Sequence, residues 1–239
     1  MFPRSSPPNA RTALKWSGPV LAGLGVGAIF MAVMIASESP LARWILAETL
    51  APARVLPLIG FGAGLALLGA RALIAALLLL GFGIAAGLFA EDRLLAILDL
   101  VPHAATHLFL TGPIAYLATG ATLVASARWR EWLAPIMAAI FGAIVALTVK
   151  LTDPSLHEAA FTWTPVLIAF WIVGAIALTL RAFWRSWFPV FGRILGSWLL
   201  AIGLLYGTAS VVPITAPPPA VDQPMEDAVP RGVNPLRQP

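Results

Sequence analysis

Apolar positions along this chain fall into long blocks instead of the three-or-four-residue stripes of a helix with one wet face. The first block runs from Pro19 to Ala36. A mixed stretch, Glu38–Val55, carries Glu38, Arg43, Trp44, Glu48 and Arg54 and reads as interfacial. Leu56–Ala90 then follows with a single charge, Arg71. A bilayer core takes roughly 20 helical residues, so this stretch is too long for one span. It predicts two tightly joined helices broken at Gly69-Ala70-Arg71, or a re-entrant pair around Arg71. The later blocks are His107–Ala127, Leu133–Val149, Pro165–Leu180 and Phe188–Val212. The predicted fold is all-α, a polytopic transmembrane helix bundle of about seven spans, placed at residues 19–212. Residues 1–18 form a short N-terminal arm. From 213 to 239 the chain is rich in proline and poor in large apolar residues, a composition that cannot offset the entropy of ordering, so a disordered tail is expected.

Composition agrees with the blocks. Hydrophobic residues make up 59% of the 239 and charged residues only 11%, whereas soluble domains carry about 25% charged residues. The formal charge of +4 comes from basic residues spread singly or in pairs between apolar runs, without the clustered basic face that nucleic-acid binding needs. No nucleic-acid partner is expected; the first partner is the lipid bilayer. Cysteine is absent, which removes disulfides, thiolate metal sites and thiol nucleophiles together.

The sorting of charge sets an expected orientation. With the N-terminus inside, the inner segments hold Arg4, Arg11, Lys15, Arg71, Arg128, Arg130, Arg181, Arg185 and Arg193, and their one acid is Glu131. The outer segments hold the remaining acids and all three His. Excess Lys and Arg mark cytoplasmic loops, which predicts a multi-pass inner-membrane protein with a cytoplasmic N-terminus and an extracytoplasmic C-terminus. Trp16, Trp129, Trp132, Trp184 and Trp187 stand beside the inner basic residues, as an interfacial belt does. Block one also reads as a signal peptide, with three basic residues before an apolar run; its cleavage would leave six spans. Lys150 and Arg193 read as anchors that snorkel outward and inward.

Glycines four apart, at Gly23/Gly27, Gly60/Gly64, Gly83/Gly87 and Gly192/Gly196, permit close approach of helices in lipid. Packing within one subunit is the ordinary reading, with a homo-oligomer or partner interface as the other. The hydroxyls Thr111, Tyr116, Thr119, Thr122 and Thr148 either line a narrow path or bond back to their own helices.

One constellation suggests chemistry. Pro102 is well placed to open a helix, so His103 and His107 stand one turn apart on one face, the i, i+4 geometry of paired zinc ligands. His157 with Glu158, and Asp99, fall in the same compartment. Imidazoles completed by a carboxylate suit a divalent transition metal such as Ni, Cu or Zn. The plainer reading is a wet helix end with histidines bonded to carbonyls and water. Two His on one helix turn cannot supply both axial positions of a haem. No P-loop, G-x-S-x-G, H-E-x-x-H or dinucleotide fingerprint occurs, so an enzyme is not expected.

The run LPLIGFGAGLALLGARALIAALLLLGFGIAAGLFAED, Leu56–Asp92, resembles the paired central helices of the HupE/UreJ-type hydrogenase and urease accessory proteins. That resemblance covers about a third of the chain. It implies a small bacterial inner-membrane protein that moves or holds nickel or another first-row metal. The chain departs from the family in lacking H-P-x-x-G-x-D-H near its start, and Gly87-Leu-Phe-Ala-Glu-Asp stands where a His-rich run is expected. The expected function is a metal-ion permease or metal-delivery protein with an extracytoplasmic His/carboxylate site. The alternative is a non-catalytic membrane subunit or assembly factor that docks a partner through its glycine-rich faces.

Overall fold

The computed structural model describes residues 8–35, 39–98, 110–152 and 159–211, and all of its elements are helical. They are α1 (Pro8–Ile35), α2 (Pro40–Thr49), α3 (Pro52–Ala66), α4 (Ala70–Phe89) and α5 (Glu91–Leu98). A π-helical turn, Leu110–Ile114, then leads into α6 (Ala115–Val124), followed by α7 (Ala127–Thr152), α8 (Ala159–Ala182) and α9 (Phe188–Val211). Among the described residues, five helices are long and apolar enough to cross a membrane, and the bent pair α2–α3 makes a sixth. Gly112–Val124 is a shorter apolar helix, and it occupies the place of the remaining predicted span. The chain is therefore a multi-pass membrane protein built as an all-α bundle.

Two boundaries differ from the hydropathy reading. Helix α1 begins at Pro8, so part of the N-terminal arm is helical. The segment expected to be interfacial is mostly α2, which continues into α3 through a 49° bend. Pro52 causes the bend: it lacks the N–H that would reach the Glu48 carbonyl four residues back, and Ala51 donates to that carbonyl instead at 3.4 Å. The expected break at Gly69 is present, with Leu67 and Leu68 winding tightly onto the Gly64 and Leu65 carbonyls before Gly69 opens α4. The tail 213–239 lies outside the described residues.

Glycine contacts give the direction of each helix. Gly83 and Gly87 of α4 lie against Ala139 and Ala143 of α7, and Gly142 of α7 lies against Leu80. The numbers rise together, so α4 and α7 run parallel. A Cβ on Gly83 would sit 2.0 Å from the Ala139 carbonyl oxygen; the two backbones touch, as small residues allow in lipid. Gly60 and Gly64 of α3 meet Thr119 and Thr122 of α6, also in parallel, and Gly62 meets Val173 and Ile176 of α8. Gly120 and Gly196 place α6 antiparallel to α9, while Gly18 beside Thr179 and Gly25 beside Trp171 place α1 antiparallel to α8. Helices α3, α6 and α8 thus run one way, and α1, α4, α7 and α9 the other.

At the centre Phe61 stacks on Phe141 with ring centroids 4.4 Å apart and planes 6° from parallel. Both side chains are fully buried, with Leu65, Leu80 and Val173 around them. Helix α1 is peripheral: only 6% of its spanning window is buried. It is held by the Trp171 indole, which donates to the Leu21 carbonyl at 2.9 Å.

Candidate functional site

These helix directions bring the charged residues to two opposite ends. One end gathers Arg71, Arg128, Arg130, Arg181, Arg185 and Arg193, with Glu131 as its acid among the described residues. The other gathers Arg43, Glu48, Arg54, Glu91, Asp92, Arg93 and Lys150. The sorting expected from loop charge is therefore a property of the folded chain.

At the basic end arginines complete helix termini. The last carbonyls of a helix have no partner within it. Arg130, 4% exposed, donates from Nε to the Thr122 carbonyl at 2.9 Å and from Nη2 to the Leu123 and Ala125 carbonyls at 3.0 and 2.6 Å. It thereby closes the C-terminus of α6. Arg181 does the same for the end of α3 by donating to the Leu68 carbonyl. Trp129, Trp132, Trp184 and Trp187 are exposed around this end, in the belt expected of them.

The other end is built on ion pairs and hydroxyls. Arg54 Nη2 meets Glu48 Oε1 at 2.8 Å and donates to Thr152 Oγ1 at 3.1 Å. Thr152 in turn donates to the Thr148 carbonyl at 2.7 Å. Lys150 Nζ meets Glu91 Oε2 at 2.5 Å, tying α7 to the start of α5. Lys150 is thus an ion-pair partner and not merely an anchor.

Beneath Arg54 lies an open cleft of about 50 Å³, room for one end of a ligand and short of the roughly 300–1,000 Å³ of sites that enclose a small molecule. Its walls are almost wholly apolar. Pro57 and Leu58 come from α3, Ala115 from α6, Ile144 and Val145 from α7, and Pro165 and Ala169 from α8, with the Phe141 ring at the base. Three polar side chains reach it: Arg54, Thr49 and Thr148. Thr49 donates back to the Ile45 carbonyl at 2.7 Å. The Thr148 hydroxyl is buried and has no hydrogen-bond partner among the described residues. An unmet buried hydroxyl costs roughly 1–3 kcal/mol, so a ligand oxygen placed there recovers that energy. The bend at Pro52 is what carries Thr49 and Arg54 over the cleft, and the π turn with Pro113 precedes Ala115 in its wall. Such turns recur at functional positions.

The hydroxyls singled out from the sequence divide. Thr122 bonds back to the Ala118 carbonyl at 2.8 Å, and Thr119 crosses to the Pro57 carbonyl at 3.2 Å. Thr148 lines the cleft. The metal candidates His103, His107, His157, Glu158 and Asp99 all lie outside the described residues. Among the described residues no group of three His, Asp or Glu side chains is placed to hold a metal ion. Sequence reasoning passed over Arg54, reading it only as part of a polar stretch; the pair Glu48/Arg54 around Pro52 was the available signal. No protein-family model, curated protein or solved structure matches the chain.

Proposed function

We propose that this protein is an inner-membrane binding or transport protein, N-terminus cytoplasmic, that takes a small apolar molecule bearing an oxygen acceptor at one end. The observation that carries this reading is the cleft under Arg54 with the unpartnered Thr148 hydroxyl in its wall. Apolar walls with a few fixed polar groups are the usual build of a ligand site. The guanidinium supplies five N–H donors, of which the bonds to Glu48 and Thr152 use only those on Nη2. A carboxylate or carbonyl head facing Arg54 and Thr148, with its chain against Phe141 and Val145, satisfies both sets of groups. The test is equilibrium binding of dodecanoate to the full chain in phosphatidylcholine nanodiscs, with dodecylammonium as the control of opposite charge. Selective dodecanoate binding that falls at least tenfold in Arg54→Gln supports the reading. Equal binding of both probes, or no effect of the substitution, contradicts it.

A second reading is metal handling, as a permease or delivery protein related to the HupE/UreJ type, with Ni, Cu or Zn as cargo. It is favoured by the Glu91–Lys150 pair. That pair joins the element leading to Asp99, His103 and His107 to the helix end leading to His157 and Glu158, so the flanks of both candidate ligand segments meet at one end. Elemental analysis and Ni, Cu and Zn titration of the wild type beside His103→Ala/His107→Ala/His157→Ala test it. Near-stoichiometric metal lost in the triple variant is the expected result, and absence of binding by folded wild type rejects it. Docking of a membrane partner through the glycine faces has less support, because Gly60, Gly64, Gly83, Gly87 and Gly196 already meet neighbours within the chain.

A further inference from the structure

A second cleft, of about 120 Å³, opens at the basic end between α3, α6, α8 and α9. Its lining is apolar, with Leu67, Leu123, Leu180, Phe188, Phe191 and Gly192 among its walls. Trp187 and Phe191 at its edge are more than half exposed, and Trp187 packs edge-on to both Phe188 and Phe191. In a membrane protein this aromatic mouth faces acyl chains and headgroups.

Cationic groups stand beside that mouth in excess of Glu131, the acid of this end among the described residues. Leu123 lines the cleft, and its carbonyl is held by Arg130. Arg193 follows Gly192, where a Cβ would lie 3.5 Å from the Leu123 side chain, the residue whose carbonyl Arg130 holds. Arg193 is exposed and forms no ion pair among the described residues. The bonds Arg130 makes draw on Nε and Nη2; Nη1 takes no part in them. Two neighbouring guanidiniums, one 96% buried and both lacking a carboxylate, present a place for an external anion. An apolar cleft next to it selects an anion that carries a hydrocarbon chain.

We propose that this end binds an anionic glycerophospholipid, its phosphate between Arg193 and Arg130 and one acyl chain in the cleft beside Gly192. Basic pockets between transmembrane helices on the cytoplasmic side bind anionic headgroups in this manner. The proposal is independent of the ligand assigned to the opposite end, since the two clefts share no residue.

The test is native mass spectrometry of the full chain in non-ionic detergent, with dioleoylphosphatidylglycerol or dioleoylphosphatidylcholine added at equal concentration. Wild type should retain the anionic lipid at least fivefold better. Arg193→Gln, at an exposed position, should remove that preference. Gly192→Leu should lower retention of both lipids by filling the cleft; a Cβ there meets only the ends of the Leu67 and Leu123 side chains, at 3.4 and 3.5 Å. Equal retention of the two lipids, an unchanged preference in Arg193→Gln, or displacement of the lipid by millimolar inorganic phosphate, which would mark a simple anion site, each overturns the proposal.

Discussion

Arg130 and Arg54 are both largely buried arginines, yet they stand at opposite ends of the bundle and do different work. Arg130 directs its bonds to three backbone carbonyls at the end of α6. Arg54 meets a carboxylate and a hydroxyl over an apolar cleft. A guanidinium that completes a helix terminus is part of the frame and has little freedom to exchange partners. One that shares an ion pair with a part-exposed Glu48 can turn its remaining N–H groups to a ligand. The comparison teaches that charge sorting along a membrane chain records topology, while the partners of each buried arginine show how far it is committed to the frame.

Substitutions sharpen this contrast, and the largest effect belongs to the braced end. Arg130→Met leaves three carbonyls at the end of α6 without their donor. With each buried unmet acceptor costing roughly 1–3 kcal/mol, a loss of about 3 kcal/mol or more is expected, read as aggregation on size exclusion or a steep fall in thermal midpoint. Arg54→Gln removes an ion pair and a bond to Thr152; thermal unfolding should report a loss of roughly 1–2 kcal/mol, with folding intact and dodecanoate binding lost. Lys150→Met leaves Glu91 part-exposed and unpaired, and since such pairs contribute at most about 1 kcal/mol, the shift in midpoint should be smaller still. Thr148→Val should have the smallest effect and the opposite sign. It deletes a buried hydroxyl with no partner, so the unliganded protein should be unchanged or more stable by up to about 1 kcal/mol, while its affinity for dodecanoate falls.

The membrane blocks were legible because hydropathy over twenty residues is a local property. The break at Gly69 and the belt of Trp129, Trp132, Trp184 and Trp187 were legible for the same reason. The bend at Pro52 was written in the sequence as a proline after a mixed stretch, but a proline alone does not say whether the helix resumes. Pairings between distant segments were not legible. Lys150 meets Glu91 across 59 positions, and Arg54 meets Thr152 across 98; nothing in the spacing of the blocks announces either. The glycine pairs were equally ambiguous. Gly83 and Gly87 lie on the α7 backbone, whereas Gly23 and Gly27, with the same spacing, meet nothing within 4 Å. Spacing marks a face that permits close approach, and only the fold shows whether a neighbour takes it.

The most direct measurement uses the absence of cysteine from the chain, which makes any introduced thiol unique. Val145→Cys places one in the wall of the Arg54 cleft and Leu195→Cys places one in the cleft at the basic end. Rates of N-ethylmaleimide labelling are compared with and without dodecanoate in phosphatidylcholine nanodiscs. Dodecanoate should slow labelling at position 145 several-fold, and Arg54→Gln should abolish that protection while leaving any protection at position 195 unchanged. No protection at position 145, or protection there that survives Arg54→Gln, would contradict the assignment of a ligand site to the ion-paired end.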